Sequence, residues 1–176
     1  MDCVSLVLRL YLGNVFAHEE TYSHMLDRPV KTPCIGVCST GIGDLVCRGC
    51  KRFVHEVVDW NGYSTQQKRI VDSRLAQFLA QCMANRFEVV NESVLKSQLE
   101  LQLIRYDPVH SPLCWVFAVL KAGANQISDP SRFGFSVLPW CRDKTLKQLR
   151  DEVDEEYFQL SQAHYERYFL QGVASE

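Results

Sequence analysis

A helical pattern of apolar residues runs through the middle of the chain. Ser64 and Gln67 have the spacing of a capping box, in which each side chain accepts a hydrogen bond from the other residue's backbone N–H. The apolar residues that follow are Ile70, Val71, Leu75, Phe78, Leu79, Cys82 and Met83. Because this spacing places them on one face, the pattern predicts an amphipathic helix over about 65–84.

The C-terminal half carries two further helical segments. Residues 113–122 are nearly all apolar and stop at Gly123, which predicts a buried helix. Thr145 and Gln148 form a second predicted capping box and open the longest helix. Its apolar stripe is Leu146, Leu149, Val153, Tyr157, Leu160, His164 and Tyr168.

Two segments between these helices are less regular. Asn91 or Ser93 can cap a helix that continues to Leu103, but the leucines near its end also alternate as in a strand. Both interpretations stay open on sequence grounds. Residues 125–141 contain Asp-Pro, Gly and Pro breakers and are predicted to form an irregular connection.

These patterns predict a mainly α-helical protein with few or no strands. The expected arrangement is a small irregular four-cysteine metal-binding module, residues 25–62, docked on a helical domain of four or five helices, residues 63–176. Organised sequence begins after Met25. We therefore expect residues 1–24 to be either a disordered leader or the product of an upstream start.

Composition and charge describe an ordinary folded chain. Its 176 residues are 47% hydrophobic with a net charge of −2, so nonspecific attraction to phosphate backbones is not expected. The apolar residues 4–16 do not resemble a signal peptide, because Asp2 replaces a basic start and Arg9 interrupts the run. The run is also too short to span a bilayer. We expect a cytoplasmic protein without membrane association, whose eight cysteines are thiols or metal ligands.

Four of these cysteines lie close together. Cys34, Cys38, Cys47 and Cys50 follow the spacing C-x3-C-x8-C-x2-C, so two close pairs face each other across a short loop. Tetrahedral coordination needs four sulfurs at one point, and paired ligands in tight turns reach it with little loss of chain entropy. The pattern predicts a four-cysteine metal site. The spacing leaves the metal open, since it matches neither the longer loops of common zinc modules nor ferredoxin spacings.

Cations flank the four cysteines. Four thiolates around Zn²⁺ or an oxidised cluster carry a net charge of about −2, and nearby cations offset it and favour the thiolate form. Arg48, Lys51 and Arg52 are placed to do this. We predict that these three residues form a local cationic rim, which contacts a protein or a nucleic acid if the metal is a structural zinc. The expected partner of the chain is an unknown protein or a redox partner. A nucleic-acid partner finds less support in the net charge.

The segment around the cysteines resembles a known bacterial family. Its Pro-Cys-Ile-Gly-Val-Cys opening at 33–38, its Cys-Arg-Gly-Cys-Lys-Arg centre at 47–52 and Trp60 are similar to the domain of unknown function 1289. The resemblance extends over residues 29–80. Members are usually described as predicted Fe–S proteins, so it implies that the four cysteines are ligands and favours an Fe–S cluster over Zn²⁺. The C-terminal half is similar to a longer form of the family with a helical extension, and no reaction is implied.

Other candidate sites receive structural interpretations. Residues 55–59, His-Glu-Val-Val-Asp, resemble the zinc-protease motif H-E-x-x-H with Asp for the second His, and we favour a solvated helix face. His164 is predicted to be a half-buried core histidine. The acidic residues Asp151, Glu152, Asp154, Glu155 and Glu156 predict a solvated acidic face. The remaining cysteines, Cys3, Cys82, Cys114 and Cys141, are predicted to be buried small hydrophobes.

The leading hypothesis is a non-catalytic, cytoplasmic metal-binding protein with an Fe–S cluster that acts in electron transfer or redox sensing. The alternative is a zinc-stapled module that contacts a protein or a nucleic acid. A third hypothesis is an enzyme that uses Cys47 and Cys50 as a redox dithiol. Since no substrate site accompanies the dithiol in the sequence, an enzyme is not the leading expectation.

Overall fold

The computed structural model of the chain describes residues 29–170. The chain divides into two units, Met1–Lys31 and Thr32–Glu176. All features described below belong to the second unit. The predicted leader, residues 1–24, lies outside the described residues.

Five α-helices make up nearly half of the described chain. They are α1 (Val54–Val58), α2 (Thr65–Ala84), α3 (Glu92–Leu101), α4 (Pro112–Gly123) and α5 (Leu146–Tyr165). The predicted mainly α-helical fold is confirmed. Within residues 29–170, no helix combines the length and the apolar character that crossing a membrane requires.

The helix starts follow the predicted capping residues. In α2, the Ser64 hydroxyl accepts from the Gln67 N–H at 3.2 Å while the Gln67 amide oxygen accepts from the Ser64 N–H at 2.8 Å. In α5, Thr145 and Gln148 make the same reciprocal pair at 3.2 and 2.9 Å. These bonds satisfy N–H groups that have no partner inside the helix.

Helix α3 settles the ambiguous leucine segment. The Asn91 side chain accepts from the Val94 N–H at 3.1 Å, so Asn91 is the cap. Leu99 is fully buried whereas Leu101 and Leu103 are exposed. A strand with one buried face would place all three on the same side, and the helical interpretation is therefore the one that the chain adopts.

Two short strands pair within the described chain. Strand β1 (Phe87–Val89) runs antiparallel to β2 (Phe135–Val137), with Phe87 opposite Val137. Strand β2 lies inside residues 125–141, which were expected to be irregular. Buried Phe135 packs against Phe87 with ring centroids 6.0 Å apart. This contact stabilises the extended backbone of β2 in a segment that is otherwise rich in Pro and Gly breakers.

The helical core forms where α2 packs against α4 and α5. Its fully buried side chains include Met83, Leu95, Val116, Val119, Leu120, Leu149 and Val153. Cys82, Cys114 and Cys141 are buried as predicted. Burial raises the pKa of the Cys82 and Cys114 thiols to about 11, as expected for inert core cysteines.

The cysteine-rich segment packs on α5 through its own small core. Val46 and Phe53 are buried against Phe158 and Tyr165 of that helix. The Phe53 and Tyr165 rings meet edge to face with centroids 5.2 Å apart. This contact fixes the loop that carries Cys47 and Cys50 relative to the helical core.

Candidate metal centre

The second cysteine pair lies in a tight hairpin turn. Val46 and Phe53 form an antiparallel bridge. The Cys47 N–H donates to the Arg52 carbonyl at 2.8 Å, and the Lys51 N–H donates to the Cys47 carbonyl at 2.7 Å. Lys51 takes a left-handed conformation, with φ of 60°, to close the turn. As a result, Cys47 and Cys50 lie at one end of a well-braced loop.

The first cysteine pair lies on an exposed arm, residues 34–38. Gly36 has a φ of 87°, which reverses the chain between Cys34 and Cys38, and its N–H donates to the Cys34 sulfur at 3.4 Å. The Cys38 sulfur lies 3.0 Å from the Thr40 hydroxyl. Both cysteines are exposed to solvent.

The arm crosses directly over the hairpin turn. A Cβ added at Gly49 would lie 2.7 Å from the Val37 carbonyl oxygen, so only glycine permits this approach. The Cys47 thiol donates to the same carbonyl with a sulfur–oxygen distance of 3.8 Å. The Arg48 N–H donates to the Ser39 hydroxyl at 2.9 Å. The fold therefore juxtaposes the two segments that carry the predicted ligands.

The four cysteine sulfurs do not meet at one point. Cys47 and Cys50 interact through their side chains, while Cys34 and Cys38 point elsewhere on the arm. Among residues 29–170, no three cysteine sulfurs lie within 4.8 Å of one another. Binding one metal centre through all four would require the sulfurs to move closer together. The donor set, four thiols on two touching segments, fits a thiolate-ligated group.

The two buried thiols differ in acidity. Burial raises the pKa of Cys47, but hydrogen bonds from the backbone of Cys50, Ser39 and Gly49 outweigh it and bring the pKa down to about 7. Burial raises the pKa of Cys50, against the opposing effect of Arg52. Cys47 therefore carries a substantial thiolate fraction at neutral pH, and the thiolate is the form that ligates metals.

Arg52 is a buried cation at the cysteine site. It is 3% exposed, its Nε donates to the Cys50 sulfur at 3.4 Å, and its guanidinium lies 4.8 Å from the centroid of the Trp60 ring. Its Nη1 is buried without a hydrogen-bond partner among the described residues. An unpaired buried cation is costly. A thiolate-ligated, anionic group beside Cys50 fits this vacant donor capacity.

The three cations of the predicted rim have different surroundings. Lys51 is 1% exposed and its Nζ lies 2.6 Å from the Asp154 carboxylate of α5. Arg52 is buried as well, whereas Arg48 is exposed and pairs with Asp44 at 3.0 Å. This corrects the expectation that all three lie at the surface. Long aliphatic stems let Lys51 and Arg52 pack inward while their charged ends meet specific partners.

The environment of Glu56 differs from the one predicted from the sequence. Its Oε2 accepts from the Phe53 N–H at 2.9 Å and from the Arg74 guanidinium of α2 at 2.6 Å. Glu56 is buried, which corrects the solvated face expected for residues 55–59. The sequence signal was a Glu three residues after the capping residue Phe53, the position from which a side chain can reach back to cap α1.

The half-buried position predicted for His164 is confirmed. Its ring packs near Phe53, Phe78 and Tyr168, with centroid distances of 6.0, 5.1 and 4.6 Å. Burial lowers its pKa, with a further contribution from Arg74. His164 is therefore a neutral packing residue at neutral pH.

The acidic face of α5 is solvated, as predicted, and it is also ion-paired. The side chains of Glu152, Asp154 and Glu156 are 37–48% exposed. Asp154 pairs with Lys51, and both Glu152 and Glu156 pair with Arg86. These two cations lie 66 or more residues away from their partners in sequence, so no local pattern predicts these pairs.

A second cluster was not predicted at all. Asp72, Asp107 and His110 place one donor atom each within 4.8 Å of one another. The His110 Nε2 lies 2.7 Å from the Asp72 carboxylate, and this hydrogen bond raises the pKa of His110 against the effect of its burial. The cluster links α2 to the loop before α4. Its members are too far apart in sequence to form a motif.

Comparison with known proteins identifies the cysteine-rich segment. Residues 32–79 match the family model described as a protein of unknown function, DUF1289. The match includes all four predicted ligands, α1 and most of α2, and it confirms the resemblance expected over residues 29–80. No curated protein and no solved structure gives a match. Residues 32–79 of this chain are therefore similar to the DUF1289 family.

Proposed function

We propose that this chain is a non-catalytic metal-binding protein whose four cysteines hold an Fe–S cluster for electron transfer or redox sensing. The ligands are Cys34, Cys38, Cys47 and Cys50. The observation that carries the proposal is the asymmetry of the site. One cysteine pair is buried beside a cation, and the other lies at the surface on a segment that touches the first.

The buried half suits an anionic group. Cys47 and Cys50 are 1% and 8% exposed, and the Arg52 Nε donates to the Cys50 sulfur. Hydrogen bonds to ligand sulfurs and the loss of water around them tune the reduction potential of a cluster. The buried guanidinium also offsets negative charge that would otherwise be costly in this position.

The exposed half suits exchange of electrons with a partner. Cys34 and Cys38 are reachable from solvent, and the neighbouring apolar residues Ile35, Val37 and Ile42 are exposed at 54%, 70% and 86%. An Fe–S cluster supplies one-electron exchange when bound. A redox partner that docks on this arm would approach the cluster without any opening of the core.

A reducing compartment is part of the proposal. The seven cysteines of the described region are free thiols. Thiols on an exposed arm remain available as ligands where glutathione and thioredoxin keep cysteines reduced. We therefore place the protein in the cytoplasm.

Anaerobic purification of the full-length chain tests the proposal. We expect a coloured protein with iron and acid-labile sulfide, an absorption band that bleaches on reduction, and an electron paramagnetic resonance signal in one redox state. Ser substitution at each of the four ligands should remove colour and iron. Cys82→Ser, Cys114→Ser and Cys141→Ser are matched controls that should keep both. Colour retained in all four ligand variants would exclude this ligand set.

A zinc-stapled protein-interaction module is the second candidate. The observation that favours it is the exposed apolar surface on the arm and just after it. Ile35 and Val37 of the arm and Ile42 and Leu45 beyond it form this surface. Exposed apolar patches commonly mark protein-binding surfaces. Since Lys51 and Arg52 are buried, this candidate now favours a protein over a nucleic acid as partner. A colourless preparation with one zinc per chain, lost on the same four substitutions, would support it over the cluster.

A further inference from the structure

A cavity on the helical part of the protein has no role in the proposed metal site. It has a volume of about 650 Å³ and lies between the end of α4, strand β2 and the start of α5. None of the four predicted ligands lines it. Its size falls in the range of small-molecule sites, roughly 300–1,000 Å³.

Part of the cavity lining is apolar, and this part is called its floor below. It includes fully buried Phe135 and half-buried Ile127, Val137 and Leu146. These side chains come from three elements that meet at this point. An apolar surface at the base of a cavity favours the hydrocarbon part of a ligand.

Another part of the lining is cationic and exposed to solvent, and this part is called its edge below. It consists of Arg142, Lys144 and Lys147. Lys144 is engaged in an ion pair with Glu152 at 2.7 Å. Arg142 and Lys147 make no ion pair or side-chain hydrogen bond with any other described residue. Two cations are thus available at the edge, although the whole chain carries a net charge of −2.

The acidic residue in the lining does not oppose this charge at short range. Asp129 accepts hydrogen bonds from the Ser131 N–H at 3.0 Å and from the Ser131 hydroxyl at 2.7 Å. These bonds hold the carboxylate within its own turn. The first residues of α5, Leu146 and Lys147, also lie in the lining, at the end of a 20-residue helix whose dipole is positive there.

We propose that this cavity binds a small organic anion, with a carboxylate or phosphate at Arg142 and Lys147 and an apolar body against Phe135 and Val137. Guanidinium groups bind both kinds of anion through paired hydrogen bonds. The apolar floor selects for a ligand that carries hydrocarbon as well as charge. This site is independent of the four cysteines and stands whether or not they hold a metal.

Four probes separate the chemistry of the site in titration calorimetry on the full-length protein. Octanoate and octyl phosphate carry both features, 1-octanol has the apolar chain without the charge, and inorganic phosphate has the charge without the chain. We expect the two octyl anions to bind and the other two to bind at least about tenfold more weakly, a difference of ~1.4 kcal/mol. A preference between the octyl anions identifies the anionic group.

Charge reversal locates the binding. Arg142→Glu with Lys147→Glu should weaken octanoate binding at least about tenfold. Lys96→Glu with Arg105→Glu reverses two exposed cations outside the cavity and should leave binding unchanged. Amide chemical-shift changes on octanoate addition should centre on Ser136 and Lys147. The proposal is overturned if octanol binds as tightly as octanoate, if both double variants behave alike, or if no probe binds at millimolar concentration. Circular dichroism of the variants confirms that each is folded.

Discussion

At the scale of single residues, the cations around the cysteines behave as three different kinds of residue. Arg48 is an exposed partner of Asp44, Lys51 is a buried partner of Asp154, and Arg52 is buried with an unsatisfied Nη1. Each charge is stabilised by a different means. The burial of Arg52 is the most informative, because its Nε already donates to the Cys50 thiol while its Nη1 has no hydrogen-bond partner among the described residues.

Arg52→Met tests whether the vacant donor serves a bound anion. In metal-free protein, the change removes an unpaired buried charge, so stability should stay constant or rise by about 1 kcal/mol. In metal-loaded protein, the same change removes a charged hydrogen bond and should cost ~2 kcal/mol. Urea unfolding with and without a chelator measures both. Arg48→Met is the exposed control and should change stability by less than about 0.5 kcal/mol in either state. An identical effect of Arg52→Met in both states would remove Arg52 from the metal site.

The His110–Asp72 pair predicts a pH dependence of stability. The hydrogen bond to Asp72 raises the pKa of His110 above its usual 6.5. The pair therefore contributes fully below about pH 6.5, and its contribution is lost as the pH rises through the folded-state pKa. His110→Gln should destabilise the protein by about 0.5–1 kcal/mol near pH 5 and by much less near pH 9. Thermal unfolding of both proteins across this pH range measures the destabilisation. A destabilisation by His110→Gln that grows with pH would contradict the assignment.

At the scale of elements, the metal site is the contact between a hairpin turn and the arm that crosses it. The turn is closed by backbone hydrogen bonds and is anchored by Phe53 on α5. The arm rests on the turn at Gly49, where its Val37 carbonyl comes closest. The relative placement of the two cysteine pairs depends on this contact more than on any side chain.

Gly49→Ala should separate the two cysteine pairs. Its Cβ would lie 2.7 Å from the Val37 oxygen, and relieving that clash should cost about 1–3 kcal/mol of local stability. We expect lower metal content and faster loss of metal to a chelator, with unchanged helical circular dichroism. Gly41→Ala is the matched control, because a Cβ there has no neighbour within 4 Å. Equal metal retention by the two variants would show that the close approach is not needed for binding.

At the scale of the whole molecule, two ion pairs, each with a buried residue of the cysteine-rich segment, join that segment to the helices. Glu56 pairs with Arg74 of α2, and Lys51 pairs with Asp154 of α5. Both pairs cross the boundary between residues 62 and 63 that the sequence suggested. Breaking either pair would leave a buried charge without a partner. The cysteine-rich segment and the helices should therefore unfold together.

Glu56→Gln tests this coupling. The change leaves the Arg74 guanidinium, which stacks 3.8 Å from the centroid of the Phe53 ring, without its counter-charge. We expect a loss of ~3 kcal/mol in the free energy of unfolding, in a single transition seen by both circular dichroism and tryptophan fluorescence, to which Trp60 contributes. Asp44→Asn breaks the exposed pair with Arg48 and should cost less than about 1 kcal/mol. Two separate transitions in the parent protein would show that the segment and the helices fold independently.

The sequence by itself determined the features that depend on local chemistry. Capping boxes at Ser64 and Thr145 and the apolar stripes behind them predicted both bounds of α2 and the start of α5, because helix starts are satisfied by neighbours three positions away. Helix α5 ends at Tyr165, three residues before the end of the predicted stripe. The cysteine spacing and the surrounding motif predicted the family match over residues 32–79, because a motif is a local pattern that can be recognised without the fold. Core cysteines followed from their apolar neighbours.

Only the tertiary structure decided where the charged residues lie. The sequence suggested that three charged residues lie at the surface: Lys51, Arg52 and Glu56. Each is buried because the folded chain supplies a partner, Asp154 for Lys51, Trp60 for Arg52 and Arg74 for Glu56. The Asp72–His110 pair and the cationic cavity before α5 likewise join segments that are distant along the chain. Local patterns report which face of an element is apolar, whereas the energy of a buried charge depends on a partner that only the folded chain supplies.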